Sequence, residues 1–219
     1  MNTLGKQRML GLGLLFLSLA TTSGLASVIA IGPDDFPPGS FTINFNGLIK
    51  GTEVNGLDVG GALFGYSLGD LKVVIDSGPG QTHYVSPPNV VSIGDPSGTI
   101  KVSIHNYTNP GVYRFGFGYD LDTTGSVAAA TTITLYNGNT FVGSLSYDSS
   151  PDDFYTGGFA GIASSLPFDT AYVTFNTDAA PAWAFDNVMY YSPEPGTLLL
   201  MGSGVAGIAG LLRRRFSGN

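Results

Sequence analysis

Asp120 and Asp122 flank Leu121 ahead of a loop at residues 123–126, and Asp186-Asn187 lie in the last apolar-alternating run before the tail. Carboxylates so placed, joined by backbone carbonyls from neighbouring loops, are the hard oxygen donors that Ca2+ collects in sets of six to eight. Asp186 with Asp120 or Asp122 is therefore the calcium expectation, and Ca2+ is the one cofactor the residues point to. The competing reading makes these turn-forming and solvating aspartates, as it does Asp152-Asp153 in a Ser/Pro-rich loop. Catalysis has less to work with. The histidines are His83 and His105 alone, and no motif joins either to a serine and an aspartate. Glu53 is the only glutamate outside the tail, so a glycosidase pair would have to be built from aspartates. No phosphate-cradling glycine loop, His-Glu-x-x-His helix or EF-hand pattern is present. No catalytic residue is assigned, and the chain is expected not to be an enzyme.

Aromatic side chains offer a different chemistry. Trp183, Tyr107, Tyr113, Tyr119, Tyr155 and Tyr172 combine a flat apolar face with a polar edge, which suits stacking on sugar rings. Trp183, Phe185 and Asn187 share one face of the last strand, which favours core packing for the tryptophan. Tyrosines on such strands also serve as cross-strand pairs.

The elements that must carry these residues follow a period of two. Apolar and polar residues alternate at 41–45, 71–75, 99–104, 131–136 and 171–175. Tyr113, Phe115, Phe117 and Tyr119 fall on one face of a strand whose other face bears Arg114, Gly116 and Gly118. Asn137-Gly138 between 131–136 and 141–145 predicts a hairpin with a type I′ turn. Gly, Pro, Asp and Ser clusters divide the remaining strands at sandwich-like spacing, and no fixed-period repeat is visible. The fold class is all-β, an antiparallel β-sandwich of jelly-roll or lectin-like type. Residues 31–191 are long enough for one such domain. With no cysteine, neither disulfides nor thiolate metal sites hold it together. Its basic residues are Lys50, Lys72, Lys101 and Arg114, within a chain of formal net charge -7, a balance that excludes nucleic acid as a partner.

Both termini read as addresses. Lys6 and Arg8 precede an apolar run at 9–20 and a small-residue region at 21–30, the layout of a secretory signal peptide cut after Ala26 or after Ala30. At the other end, Pro193-Glu194-Pro195 holds the chain extended. The uncharged stretch 197–212 follows, about 24 Å long as a helix. With tilt and snorkelling it suffices for a bilayer core of about 30 Å. Arg213, Arg214 and Arg215 would anchor its far end in the cytoplasm and leave everything before Pro193 outside.

Pro-Glu-Pro, Gly-Thr, an apolar helix and an arginine cluster, in that order, closely resemble the PEP-CTERM sorting signal of Gram-negative bacteria. The resemblance implies that a membrane exosortase recognises Pro193-Glu194-Pro195, removes the helix and arginines, and releases the protein to the cell exterior. Ser86-Pro87-Pro88-Asn89-Val90, the run 158–164 and Ala184-Phe185-Asp186-Asn187-Val188 are similar to the β-sandwich passengers that precede this signal. The expectation is an exported, exosortase-processed protein of the cell surface or extracellular matrix, a non-enzymatic structural or carbohydrate-binding component of exopolysaccharide and biofilm. Two alternatives stand beside it: a secreted polysaccharide-active enzyme using aspartates, and an ice-binding protein for which Thr131, Thr132 and Thr134 supply a fragment of a threonine array.

Overall fold

A computed structural model describes residues 27–70, 72–76, 82–107 and 111–193. The apolar run at 9–20, the span 197–212, Glu194, Pro195 and the arginine cluster lie outside the described residues. Among the described residues no helix is long and apolar enough to cross a membrane.

Two antiparallel sheets face each other. The eight-stranded sheet contains β1 (Val28–Ala30), β2 (Phe41–Ile43), β5 (Val73–Asp76), β6 (Asn89–Ser92), β8 (Val112–Leu121), β11 (Ser150–Asp152), β12 (Tyr155–Phe168) and β14 (Trp183–Tyr191). Its order is β1-β12-β8-β14-β6-β5, with β11 on β12 and β2 on β14. The six-stranded sheet contains β3 (Asp58–Val59), β4 (Ala62–Tyr66), β7 (Ile100–Ile104), β9 (Thr131–Asn137), β10 (Thr140–Tyr147) and β13 (Thr170–Phe175), in the order β10-β9-β13-β7-β4-β3. From β4 onward the chain crosses repeatedly between the sheets.

The period-two reading of β8 is met in full at its centre. Phe115, Phe117 and Tyr119 are all buried on the core face, where they meet Ile133, Leu135, Val173 and Phe175 of the other sheet in one continuous cluster. Trp183 stacks on Phe175 with ring centroids 4.4 Å apart and planes 17° from parallel. Polar tips in this core find partners, as buried hydroxyl and indole groups must: Trp183 Nε1 donates to the Pro96 carbonyl at 2.8 Å, and Tyr119 Oη to that of Asp148 at 2.9 Å.

Two local expectations are corrected. The hairpin between β9 and β10 turns on Gly138-Asn139, because Asn137 still pairs with Thr140. Gly138 alone has positive φ, at 57°, which matches a type II′ turn with glycine first and not the type I′ turn on Asn137-Gly138. In β14 the regular alternation fails after Phe185. The register to β8 slips between Asp186 and Met189, Asn187 adopts a φ of 51°, and Val188 and Tyr190 take over the core face. Asn187 thus does not share a face with Trp183 and Phe185. A bulge re-aims side chains in this way.

Ahead of residue 31, β1 pairs with β12 from Val28 opposite Ser164 to Ala30 opposite Ile162. Val28 fills the space that a Cβ on Gly143 would occupy. Ser27 adds two bonds to Ser165, one each way, at 3.0 Å.

Candidate functional site

Two regions on the outer faces of the sandwich concentrate chemistry. The first lies on the eight-stranded sheet. Asp120 pairs with Ala184 and Asp186 with Gly118, so the two aspartates are diagonal neighbours on the same outward face. That face is nevertheless covered. The loop 82–88, which holds a cis Pro87–Pro88 bond, lies directly over Gly118, where a Cβ would run into the Tyr84 carbonyl group. Ser86 donates to Asp186 Oδ2 through its amide at 3.2 Å and its hydroxyl at 3.3 Å. The Asn187 amide, turned outward by the bulge, donates to the Tyr84 carbonyl at 3.0 Å and to Asp186 Oδ2 at 3.2 Å. At the loop's other end the His83 amide donates to Asp152 Oδ2 at 2.6 Å. Val85 joins Val74, Val91 and Ala184 in a small apolar cluster under the loop.

The loop leaves Asp120 0% and Asp186 1% exposed. Burial pushes Asp120 up to about 7, with Asp122 and Asp152 adding to the rise. The Ala184 amide opposes that shift from nearby, without reaching hydrogen-bond geometry. Burial likewise pushes Asp186 up to about 6, against the loop's hydrogen bonds. Asp122 is not gathered into this site: its side chain is exposed. Among the described residues no three Asp, Glu, His or Cys side chains converge to hold a metal.

The second region is the outward face of the six-stranded sheet. Because Ile133 and Leu135 point inward, Thr132, Thr134 and Tyr136 point out, as do Tyr172 and Thr174 beside Ala171 and Val173. Ser144, Thr134, Tyr172, Lys101 and Gly65 form one register row across five strands. An open groove of about 490 Å³ is lined by Thr99, Thr134, Tyr136, Asn139, Tyr172 and Thr174. A neighbouring hollow of about 220 Å³, reaching Asn55, Ser67 and Lys101, shares Thr99 and Tyr172 with it. Tyr136 and Tyr172 meet edge to face at 5.4 Å. The combination of flat aromatic faces, hydroxyls and an amide around a solvent-open groove is chemically suited to a polyhydroxylated chain.

Of the sugar-stacking candidates, only Tyr172 reaches this groove. Trp183 and Tyr119 are sealed in the core. Tyr136 was missed, although the alternation of β9 assigns it outward. Thr131 leaves the threonine array because it is buried, its hydroxyl donating to the Thr174 carbonyl at 3.0 Å. Thr132 and Thr134 are tied to Ser146 and Ser144 at 2.8 and 2.9 Å. The histidines fall on different sheets: His83 on the loop, its ring against Tyr84 at 4.6 Å, and His105 after β7, with Nε2 2.9 Å from Asp58 Oδ1.

The PEP-CTERM protein-sorting motif matches residues 193–215, so the chain carries this sorting signal, which implies export through a membrane-anchored precursor processed by an exosortase. No match to a curated protein is found. Among solved structures, the K1 cleaved adhesin domain of Lys-gingipain from Porphyromonas gingivalis W83 is 15% identical with a TM-score of 0.46, over 71% of this chain and 99% of that one. A point mutant of the family 29 carbohydrate-binding module CBM29-2 is 12% identical with a TM-score of 0.39, over 71% and 98%. The Podospora anserina GH26-CBM35 β-(1,4)-mannanase is 16% identical with a TM-score of 0.39, over 73% of this chain, which spans only 29% of that enzyme. At these scores nothing about either region follows from the likeness.

Proposed function

We propose that this chain is a non-enzymatic component of the cell surface or extracellular matrix of a Gram-negative bacterium, exported, trimmed by an exosortase, and built to bind neutral exopolysaccharide of a biofilm. The observation that carries this is where the last described strand ends. β14 ends at Tyr191 and the Ser192 hydroxyl donates to the Gly111 carbonyl at 2.8 Å, while the sorting motif begins at Pro193. Removal of everything from the motif onward therefore takes away none of the strands found among the described residues. At the other end, cutting the signal peptide after Ala26 keeps β1, whereas cutting after Ala30 would delete it, so the mature chain starts at Ser27. We read the crossings between sheets as a jelly-roll.

The groove around Tyr172 is the glycan site in this reading. Among the described residues, Lys101 is the one charged side chain lining either hollow, and a chain of net charge -7 repels polyanions, which favours a neutral polymer. An aspartate-based enzyme finds less support: Asp120 and Asp186, the carboxyls best tuned for proton transfer, are closed off beneath the loop. Affinity electrophoresis through gels containing the host's exopolysaccharide tests the proposal. The protein should be retarded, and Tyr172→Ala should weaken binding about tenfold, the equivalent of losing one stacking contact of about 1.4 kcal/mol. Unretarded migration of the wild type, or equal retardation of Tyr172→Ala, would refute the assignment.

A further inference from the structure

Under the loop 82–88 the protein buries oxygens that it does not satisfy. Neither carboxylate oxygen of Asp120 has a hydrogen-bond partner, Asp186 leaves Oδ1 without one while Oδ2 holds the loop, and Thr82 Oγ1 at the loop's start is in the same condition. The ion pairs among the described residues, Lys50 with Asp76 and His105 with Asp58, involve neither aspartate. A carboxylate withdrawn from water is strongly unfavourable unless it is paired, coordinated or neutralised. Here two are withdrawn on one face, and the loop that withdraws them is bonded to Asp186 at one end and Asp152 at the other, with Asp120 between.

We infer that Asp120, Asp186 and Thr82 form a calcium site that pins the loop 82–88 to the eight-stranded sheet. The donors are all oxygen, with no nitrogen or sulfur that would favour a transition metal. Two carboxylates balance the charge of one divalent ion, and the hydroxyl, loop carbonyls and water are the neutral donors that complete a flexible shell of six to eight. A site with so few carboxylates is matched to the weak end of calcium affinity, about 10⁻⁴–10⁻³ M, which extracellular modules use. Calcium would also relieve the mutual repulsion that Asp120 experiences from Asp122 and Asp152.

The test uses the full chain in mild detergent, stripped with EDTA and dialysed. Adding Ca2+ to about a hundred times its Kd should raise the melting temperature by about 5–10 °C, Mg2+ should raise it far less, and calorimetric titration with Ca2+ should fit one ion per chain. Asp120→Asn and Asp186→Asn should each abolish the calcium response. Asp120→Asn should also melt no lower than the stripped wild type, since it removes an unpaired buried charge. Terbium luminescence on the wild type, displaced by calcium, reads out the same site without a variant. No binding heat with Ca2+, no shift and no terbium signal would overturn the site, as would an unchanged calcium response in Asp120→Asn.

Discussion

Trp183→Ala should lower the unfolding free energy by about 3–5 kcal/mol, the range for deleting a large buried aromatic. Trp183 is 0% exposed, stacks on Phe175 and closes the core between the two sheets. The truncation also leaves the Pro96 carbonyl without the indole N–H that it accepts, so a cavity and a lost hydrogen bond add. Urea denaturation followed by far-ultraviolet circular dichroism reads the change, because the chain's single tryptophan is the fluorescent probe being removed. Trp183→Phe keeps the stack and should recover more than half of the loss. A loss below about 1 kcal/mol for the alanine variant, far under the cost of a buried aromatic truncation, would mean that the two sheets are not closed by this residue.

Gly118→Val should cost about 1–3 kcal/mol through overpacking and detach the loop 82–88. The obstacle is backbone: a Cβ at Gly118 meets the carbonyl oxygen and carbon of Tyr84, and neither can swing away as the end of a side chain would. Lifting the loop forfeits the Ser86 and Asn187 hydrogen bonds and uncovers Val85. The variant should therefore show a lowered urea midpoint and new protease cleavage within 82–88. Gly125→Val is the control, since a Cβ there meets nothing within 4 Å and its φ lies outside the left-handed region. Equal protease resistance of Gly118→Val and wild type would show that the loop does not lie on this face.

What the sequence made legible tracks the range of the forces involved. Alternation is local, so the core face of β8 and the outward residues of β9 and β13 are readable from neighbouring residues alone. The turn was readable as a hairpin but misplaced by one residue, because Asn137-Gly138 and Gly138-Asn139 both tolerate a tight turn and only cross-strand register decides between them. The bulge at Asn187 left no mark in composition, and with it went the true direction of that side chain. Asp120 and Asp186 stand out in the sequence as chemistry-bearing residues, but their burial was not foreseeable. It depends on Tyr84 settling on Gly118, a contact between residues 34 apart in the chain, which no period or motif encodes. Asp122, identical in type and two residues from Asp120, stays exposed for want of such a cover.

Intact mass spectrometry of the protein recovered from its host's envelope and medium, beside a strain lacking exosortase, tests the central claim that this is an exported sandwich trimmed at both ends. The account predicts a chain beginning at Ser27 and ending within residues 193–195 in the wild type, and one still extending to Asn219 in the control. Retention of residues 213–219 in both strains would contradict it, leaving a permanent membrane anchor in place of a sorting signal.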